Sequence, residues 1–208
     1  MSGLFLTFEG VEGCGKTTQM ACLEESLRAR GVQVVVTREP GGTPIAETIR
    51  NIILDTDNAG MADTTELLLY AAARAQHVAE KIRPALEAGR VVLCDRFYDS
   101  TSAYQGGGRK LSDDLLADLN RIATGGLTPH KTFLLDLPAE EGLRRIRARG
   151  DRDRIEQESL DFHEDVRRAY LKLAMAEPAR IQVLDASRSV EASARDILAG
   201  VDELLSRH

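Results

Sequence analysis

An apolar run, Leu4-Phe5-Leu6-Thr7-Phe8-Glu9, leads straight into Gly10-Val11-Glu12-Gly13-Cys14-Gly15-Lys16-Thr17, and a helix-periodic segment follows at once. The octet has the form G-x-x-x-x-G-K-T. A strand, a glycine loop and a helix in that order leave few folds open. Glycine permits positive φ and lets backbone approach a ligand that a Cβ would obstruct. Successive N–H groups of such a loop wrap a diphosphate, and the following helix N-terminus adds donors and partial positive charge. Lys16 then reaches the β- and γ-phosphates, and the Thr17 hydroxyl faces Mg²⁺. The expected ligand is a nucleoside triphosphate.

After the loop, Met20, Leu23 and Leu27 keep helical spacing until Gly31. Val32 to Thr37 is a β-branched strand candidate, and Arg38-Glu39-Pro40-Gly41-Gly42-Thr43-Pro44 reads as a loop. Ile45, Ile49, Ile52 and Ile53 give a short helix, and Asp57-Asn58-Ala59-Gly60 a turn. Asp63 and Glu66 have capping-box spacing and open a long helix toward Gly89, bent near Pro84. Val91 to Cys94 is a buried strand delivering Asp95-Arg96, and Gly106-Gly107-Gly108 reads as a flexible loop before a helix carrying Leu115, Leu116, Leu119 and Ile122. Thr132 to Leu135 is the next strand, ending at Asp136, and Pro138 suits the first turn of a helix with Leu143 and Ile146. A densely charged stretch, Arg144 to Glu158, precedes a helix from Leu160 to Ala174, the strand Ile181 to Leu184, and a last helix opening near Ser189.

Five apolar strands alternating with helices predict an α/β fold: a three-layer α/β/α arrangement around a five-stranded parallel sheet, with ligands at the C-terminal strand ends. The polar residues fall at those ends. The 208 residues fit one domain, 1–208, with an ample core. A formal charge of −6 argues against general affinity for nucleic acid. No apolar run approaches membrane-spanning length, and no charged-apolar-small targeting pattern opens the chain. Cys14, Cys22 and Cys94 form no metal-like cluster, and a reducing cytoplasm is the expected setting.

A P-loop alone does not separate a GTPase, an ATPase motor and a small-molecule kinase. Asp57-Asn58-Ala59-Gly60 matches a loose D-x-x-G, but no strand precedes it and no N-K-x-D follows. Of 27 basic residues only five are lysines, and arginine is the better fork for phosphate oxygens. Arg38, Arg74, Arg96, Arg147, Arg149, Arg152 and Arg154 stand at strand ends and in loops. Two phosphorylated substrates facing one another need that many donors. The order and spacing of Phe8-Glu9-Gly10-Val11-Glu12-Gly13-Cys14-Gly15-Lys16-Thr17-Thr18, Thr37-Arg38-Glu39-Pro40-Gly41-Gly42-Thr43, Arg74-Ala75-Gln76-His77, Asp95-Arg96-Phe97, Ser102-Ala103-Tyr104-Gln105-Gly106-Gly107-Gly108, Arg149-Gly150 and Asp153-Arg154-Ile155-Glu156 go further. Together they closely resemble the bacterial thymidylate kinases, P-loop nucleoside-monophosphate kinases, over nearly the whole chain.

That resemblance implies an enzyme that transfers the γ-phosphoryl of ATP to dTMP with Mg²⁺, giving dTDP. It also implies a homodimer and a mobile lid at about 144–158. Gly10 to Thr18 would hold the donor, and Thr17 and Asp95 would serve the metal. Tyr70 resembles the aromatic that stacks on thymine, Arg74 the residue that bonds the base with Thr101 nearby, and Tyr104 the tyrosine under the deoxyribose. Arg38 and Arg96 resemble the clamps on the monophosphate, and Glu12 the loop acid near the acceptor. The loop holds no arginine between Gly10 and Lys16. The arginine that meets the transferring phosphoryl is then expected from the lid, Arg149 first and Arg154 second. His77 is expected to be structural. The remaining readings are a kinase for another nucleoside monophosphate, or a P-loop ATPase or GTPase acting on a macromolecule.

Overall fold

The structure, a computed structural model, describes residues 3–148, 150 and 152–206. The apolar, β-branched runs form β1 (Phe5–Glu9), β2 (Val34–Arg38), β3 (Val91–Asp95), β4 (Lys131–Asp136) and β5 (Ile181–Asp185). They make one parallel sheet in the order β2-β3-β1-β4-β5. The chain winds outward to β2, returns to β3 beside β1, and then builds β4 and β5 on the other side. The switch in direction falls at β1, and the C-terminal end of β1 is where an open sheet of this kind leaves its crevice. Register aligns Phe8 and Arg38 with Asp95, and Asp136 with Asp185, so the strand-end polar residues share one edge.

The connecting helices are α1 (Lys16–Ala29), α2 (Pro44–Leu54), α3 (Asp63–His77), α4 (Arg83–Glu87), α5 (Tyr98–Thr101), α6 (Asp113–Thr124), α7 (Ala139–Arg147), α8 (Leu160–Ala176) and α9 (Val190–Leu205). Local chemistry sets several ends. Ser112, Ser159 and Ser189 accept N–H bonds as N-caps of α6, α8 and α9, and left-handed Gly125 closes α6. Alternation along β1 sends Leu6 and Phe8 into the larger core with Met20, Leu23 and Leu27 of α1, while Phe5 joins Val92, Cys94 and Phe97 in a smaller one. Thr7 shares the Phe5 face and meets Thr132 across the sheet, hydroxyl to hydroxyl, at 2.7 Å. Glu9 follows on that same face.

Three local expectations are corrected. The single helix toward Gly89 is two, joined by a π-helical turn over Val78–Ile82 just ahead of Pro84. Its capping box does not form: Ala62 is the N-cap, and Glu66 turns inward to accept from Gln105, Arg109 and Arg154. An acid surrounded by buried cations is worth more there than at a solvated helix end. Gly106 to Gly108 belong to a second π-helical stretch, Ser102–Gly108, pressed on α8. A Cβ on Gly107 would lie 2.5 Å from the Ala169 Cβ, and one on Gly108 2.4 Å from the Phe162 ring. These glycines serve close packing rather than looseness.

Candidate active site

The loop from β1 to α1 takes the shape its glycines allow, with φ of 137° at Gly10, 70° at Gly13 and 96° at Gly15, which precedes the first turn of α1. The Lys16 ammonium curls back to donate to the carbonyls of Gly10 and Val11, each at 3.2 Å, with the Cys14 Sγ at 3.6 Å. Behind the loop stands α7. Arg145 of α7 donates to the Gly13 carbonyl at 3.3 Å and to Glu141 at 2.9 Å, so one more guanidinium sits at the loop's outer wall.

A cavity of about 370 Å³ opens from this loop. Gly13, Gly15, Lys16, Thr17, Thr18 and Arg145 line it on the side of the loop and α7, and Arg38, Arg50, Tyr70, Arg74, Arg96 and Tyr104 make the rest of its wall. Thr17 and Asp95 line it too, and the Asp95 carboxylate makes no ion pair among the described residues.

Arg96 is the most constrained of these groups. Its φ is 69°, a left-handed value that a residue with a Cβ holds only when its neighbours fix it. Its guanidinium donates to the Gly10 carbonyl (3.0 Å), Tyr170 (3.1 Å), Ser100 (3.3 Å) and Glu12 (3.0 Å), and lies 4.9 Å from the Tyr104 ring centre. Burial opposes its charge, but Tyr104, Tyr170, Glu12 and Asp95 together hold its pKa well above the ordinary arginine value. Glu12 is the counterpart. It accepts from Arg96 and, at 2.5 Å, from the Tyr104 hydroxyl, with His163 of α8 at 3.3 Å. Burial raises its pKa, yet Arg96, His163 and Lys16 outweigh that and keep the carboxyl well below the usual range.

Arg38 pairs with Glu47 at 2.8 Å, and Arg50 donates to the Pro40 carbonyl at 2.8 Å. Burial and the nearby Arg38 lower the Arg50 pKa. Arg74 is buried and held on four sides: Glu39 (2.7 Å), Thr101 (2.8 Å), Asn120 (2.9 Å) and the Phe97 carbonyl (3.2 Å). Thr101 is thus a partner of Arg74 and lines the cavity beside it. His77 spans Glu39 at 3.0 Å and Thr37 at 2.7 Å with no exposure, the structural place expected of it. Burial raises the Tyr70 hydroxyl pKa far above that of free tyrosine, so the ring stays neutral.

The expected lid arginines separate. Arg149 lies outside the described residues. Arg154 is buried, donates to the Ile53 carbonyl at 2.7 Å and pairs with Glu66 at 2.6 Å, and does not line the cavity. Arg147 and Arg152 are exposed. Glu9, Arg50, Ser100, Arg145 and Tyr170 join these groups without being among the site residues expected from the sequence. Of these only Glu9 stands inside a motif, Phe8 to Thr18; the others depend on partners that the fold brings together.

A family model described as "Thymidylate kinase" matches residues 8–197. The chain is 56% identical to the thymidylate kinase of Geobacter sulfurreducens over 211 residues, covering 99% of this chain and 98% of the relative. It is 55% identical over 205 residues to that of Pseudomonas syringae pv. tomato, covering 99% and 96%. The crystal structure of thymidylate kinase from Ehrlichia chaffeensis superposes with a TM-score of 0.79 at 31% identity, over 97% of this chain and all of that one.

Proposed function

This chain belongs to the thymidylate kinase family and phosphorylates dTMP with ATP to give dTDP, and we propose that the loop side and the arginine-walled side of this cavity divide the substrates between them. The observation that carries this division is the continuity of the P-loop with the arginine-walled side. A donor phosphate seated on the loop then faces an acceptor phosphate across a short gap. Gly10 to Thr18 hold the β- and γ-phosphates through backbone N–H groups, and Lys16 exchanges its carbonyl partners for phosphate oxygens. Arg145 adds charge on the donor side.

On the acceptor side Arg96, Arg38 and Arg50 grip the monophosphate. Tyr70 stacks on thymine, and Arg74, already fixed by four partners, presents its remaining donor to the base with Thr101 beside it. Tyr104 lies under the deoxyribose, and Glu12, kept ionised by Arg96, faces the sugar. Thr17 and Asp95 offer hard oxygen ligands to Mg²⁺, an ion that keeps water and phosphate oxygens as its other ligands. When bound, Mg²⁺ neutralises charge on the transferring phosphates. Holding donor and acceptor in line supplies most of the rate, because phosphoryl transfer needs little covalent help from protein. The stretch 144–158 acts as the lid, with Arg149 as the arginine that meets the transferring phosphoryl and Arg154 as an anchor.

The enzyme works as a homodimer in the cytoplasm. Leu68, Leu115 and Ile122, which are 51%, 40% and 68% exposed on the packed pair α3 and α6, supply an apolar patch for a second copy. Among the described residues no helix is long and apolar enough to cross a membrane.

A coupled assay with ATP across the nucleoside monophosphates tests the reading. The highest kcat/KM should be for dTMP, and Lys16→Ala should abolish transfer while leaving the fold intact. Greater efficiency with another monophosphate, or turnover in the lysine variant, would redirect the assignment.

A further inference from the structure

Glu9 ends β1, has no exposed surface, and lines no part of the cavity. Its carboxylate is nonetheless fully engaged. One oxygen accepts the Phe97 backbone N–H at 2.7 Å; the other accepts the hydroxyls of Ser100 at 2.6 Å and Tyr170 at 2.8 Å. Those two hydroxyls are also the ones that Arg96 touches, at 3.3 and 3.1 Å.

Once Glu9 is ionised, above its raised pKa of about 7, the direction of these bonds is forced. A guanidinium only donates, and a hydroxyl has one proton and two lone pairs. A hydroxyl between Arg96 and a carboxylate therefore gives its proton to the carboxylate and its lone pair to the arginine. The 2.8 Å approach of Ser100 to Tyr170 follows from both converging on one Glu9 oxygen. The third bond, to the Phe97 amide, fixes the peptide just after Arg96, where the backbone holds its left-handed turn. Three elements thus converge on Arg96 through one acid: β1, α5 and α8.

We propose that Glu9 is a positioning residue for phosphoryl transfer: through Ser100, Tyr170 and the Phe97 amide it orients the Arg96 guanidinium toward the acceptor phosphate. This rests on the reading of Arg96 as an acceptor clamp. Glu12 holds the other Arg96 nitrogen at 3.0 Å, so the two acids fix the plane of the guanidinium from two sides. Asp99, the next acid on α5, is spoken for by Arg180 at 2.6 Å and does not compete.

Glu9→Gln, assayed at about pH 8 where the native residue is a carboxylate, is the test. An amide still accepts from Phe97, but its NH₂ donates where the carboxylate accepted. Ser100 and Tyr170 must then accept from the amide and turn their protons toward Arg96. The dTMP KM should rise by about tenfold or more, the scale of losing charge-assisted hydrogen bonds, while the ATP KM stays within about twofold. Tyr170→Phe and Ser100→Ala should each raise the dTMP KM by roughly threefold. Adding Tyr170→Phe to Glu9→Gln should cost little more than Glu9→Gln alone, because both act through one chain of bonds. Arg96→Ala is the control: if it leaves the dTMP KM unchanged, the clamp reading fails. If Arg96→Ala raises the dTMP KM and Glu9→Gln does not, the positioning proposal is overturned. Equal loss toward both substrates also overturns it, since that marks a merely structural acid. Should Glu9→Gln not fold, an unchanged dTMP KM in both hydroxyl variants overturns it as well.

Discussion

Gly13 of the P-loop and Gly142 of α7 touch back to back: a Cβ on Gly13 would lie 2.4 Å from the Gly142 carbonyl oxygen, and a Cβ on Gly142 2.2 Å from that of Glu12. The obstacles are backbone, so neither side can yield by turning a side chain. The P-loop and α7 are seated on one another without a gap.

Gly142→Ala should therefore push the loop off its seat. Forcing a methyl into packed backbone costs about 1–3 kcal/mol. The expected outcome is a lowered Tm and an ATP Kd raised by roughly tenfold for each ~1.4 kcal/mol that falls on the loop, with dTMP affinity much less affected. Calorimetric titration of each substrate alone measures both, and an unchanged ATP Kd would show that the seat is not needed for donor binding.

Arg149 and Arg154 should fail in different ways. Arg149→Ala should lower kcat by about 10²–10³ in single-turnover transfer, the scale of losing one preorganised donor to the transition state, and leave dTMP Kd within a few-fold. Arg154→Ala breaks a buried pair with Glu66. Such losses reach about 3–5 kcal/mol, moderated here because Arg109 still serves Glu66 at 3.1 Å. It should lower the denaturation midpoint more than Arg149→Ala does. A fully stable Arg154→Ala whose chemical step collapses would return the catalytic role to Arg154.

Tyr104 should govern the choice of sugar. Its hydroxyl is tied to Glu12 at 2.5 Å and its ring is buried, so it has no freedom to move aside for a 2′-OH. The deoxy acceptor should beat the ribo form in kcat/KM. Tyr104→Phe should keep that preference, whereas Tyr104→Ala should shrink it. Equal efficiencies in the native enzyme would remove Tyr104 from this role.

Stability should fall as pH rises through neutrality on account of Glu9. Burial pushes its pKa up to about 7, helped by Asp99 and resisted by Arg96 and its hydrogen bonds to Ser100 and Tyr170. Between the ordinary value of 4.5 and about 7 the folded chain binds the extra proton, so its stabilising share is complete below that window and lost above it. The denaturant midpoint of the native enzyme should drop between about pH 5 and pH 8, and Glu9→Gln should flatten that slope. Parallel curves for the two proteins would contradict the shift.

Much of this architecture is legible in the chain because the inner strands β1, β3 and β4, buried on both faces, must be short apolar runs, and every strand ends in a polar residue at the shared edge. Val91 to Cys94 delivering Asp95-Arg96 is such a case. The P-loop is legible for the same local reason, since its glycines and Lys16 are contiguous. Partners far apart in sequence are not. Glu66 has the spacing of a helix cap and is an inward hub only because Arg109 and Arg154 arrive from elsewhere. Gly106 to Gly108 read as loose because glycine advertises freedom, and only the nearness of Ala169 and Phe162 shows that compactness is what they provide. Glu9 looks like the tail of a strand, and its bonds to Ser100 and Tyr170 depend on α5 and α8 meeting over the sheet.

The tight seating of Gly107 and Gly108 on α8 has a thermodynamic corollary. Helix α8 begins two residues after Glu158, which binds Arg109 at 2.7 Å, and carries Tyr170 against Arg96 further along. With backbone wedged against its side, the helix transmits displacement as a strut does. Should donor binding displace the start of α8, Tyr170 carries that shift to Arg96. Linkage then requires reciprocity: the factor by which bound dTMP changes the affinity for ATP must equal the factor by which bound ATP changes the affinity for dTMP.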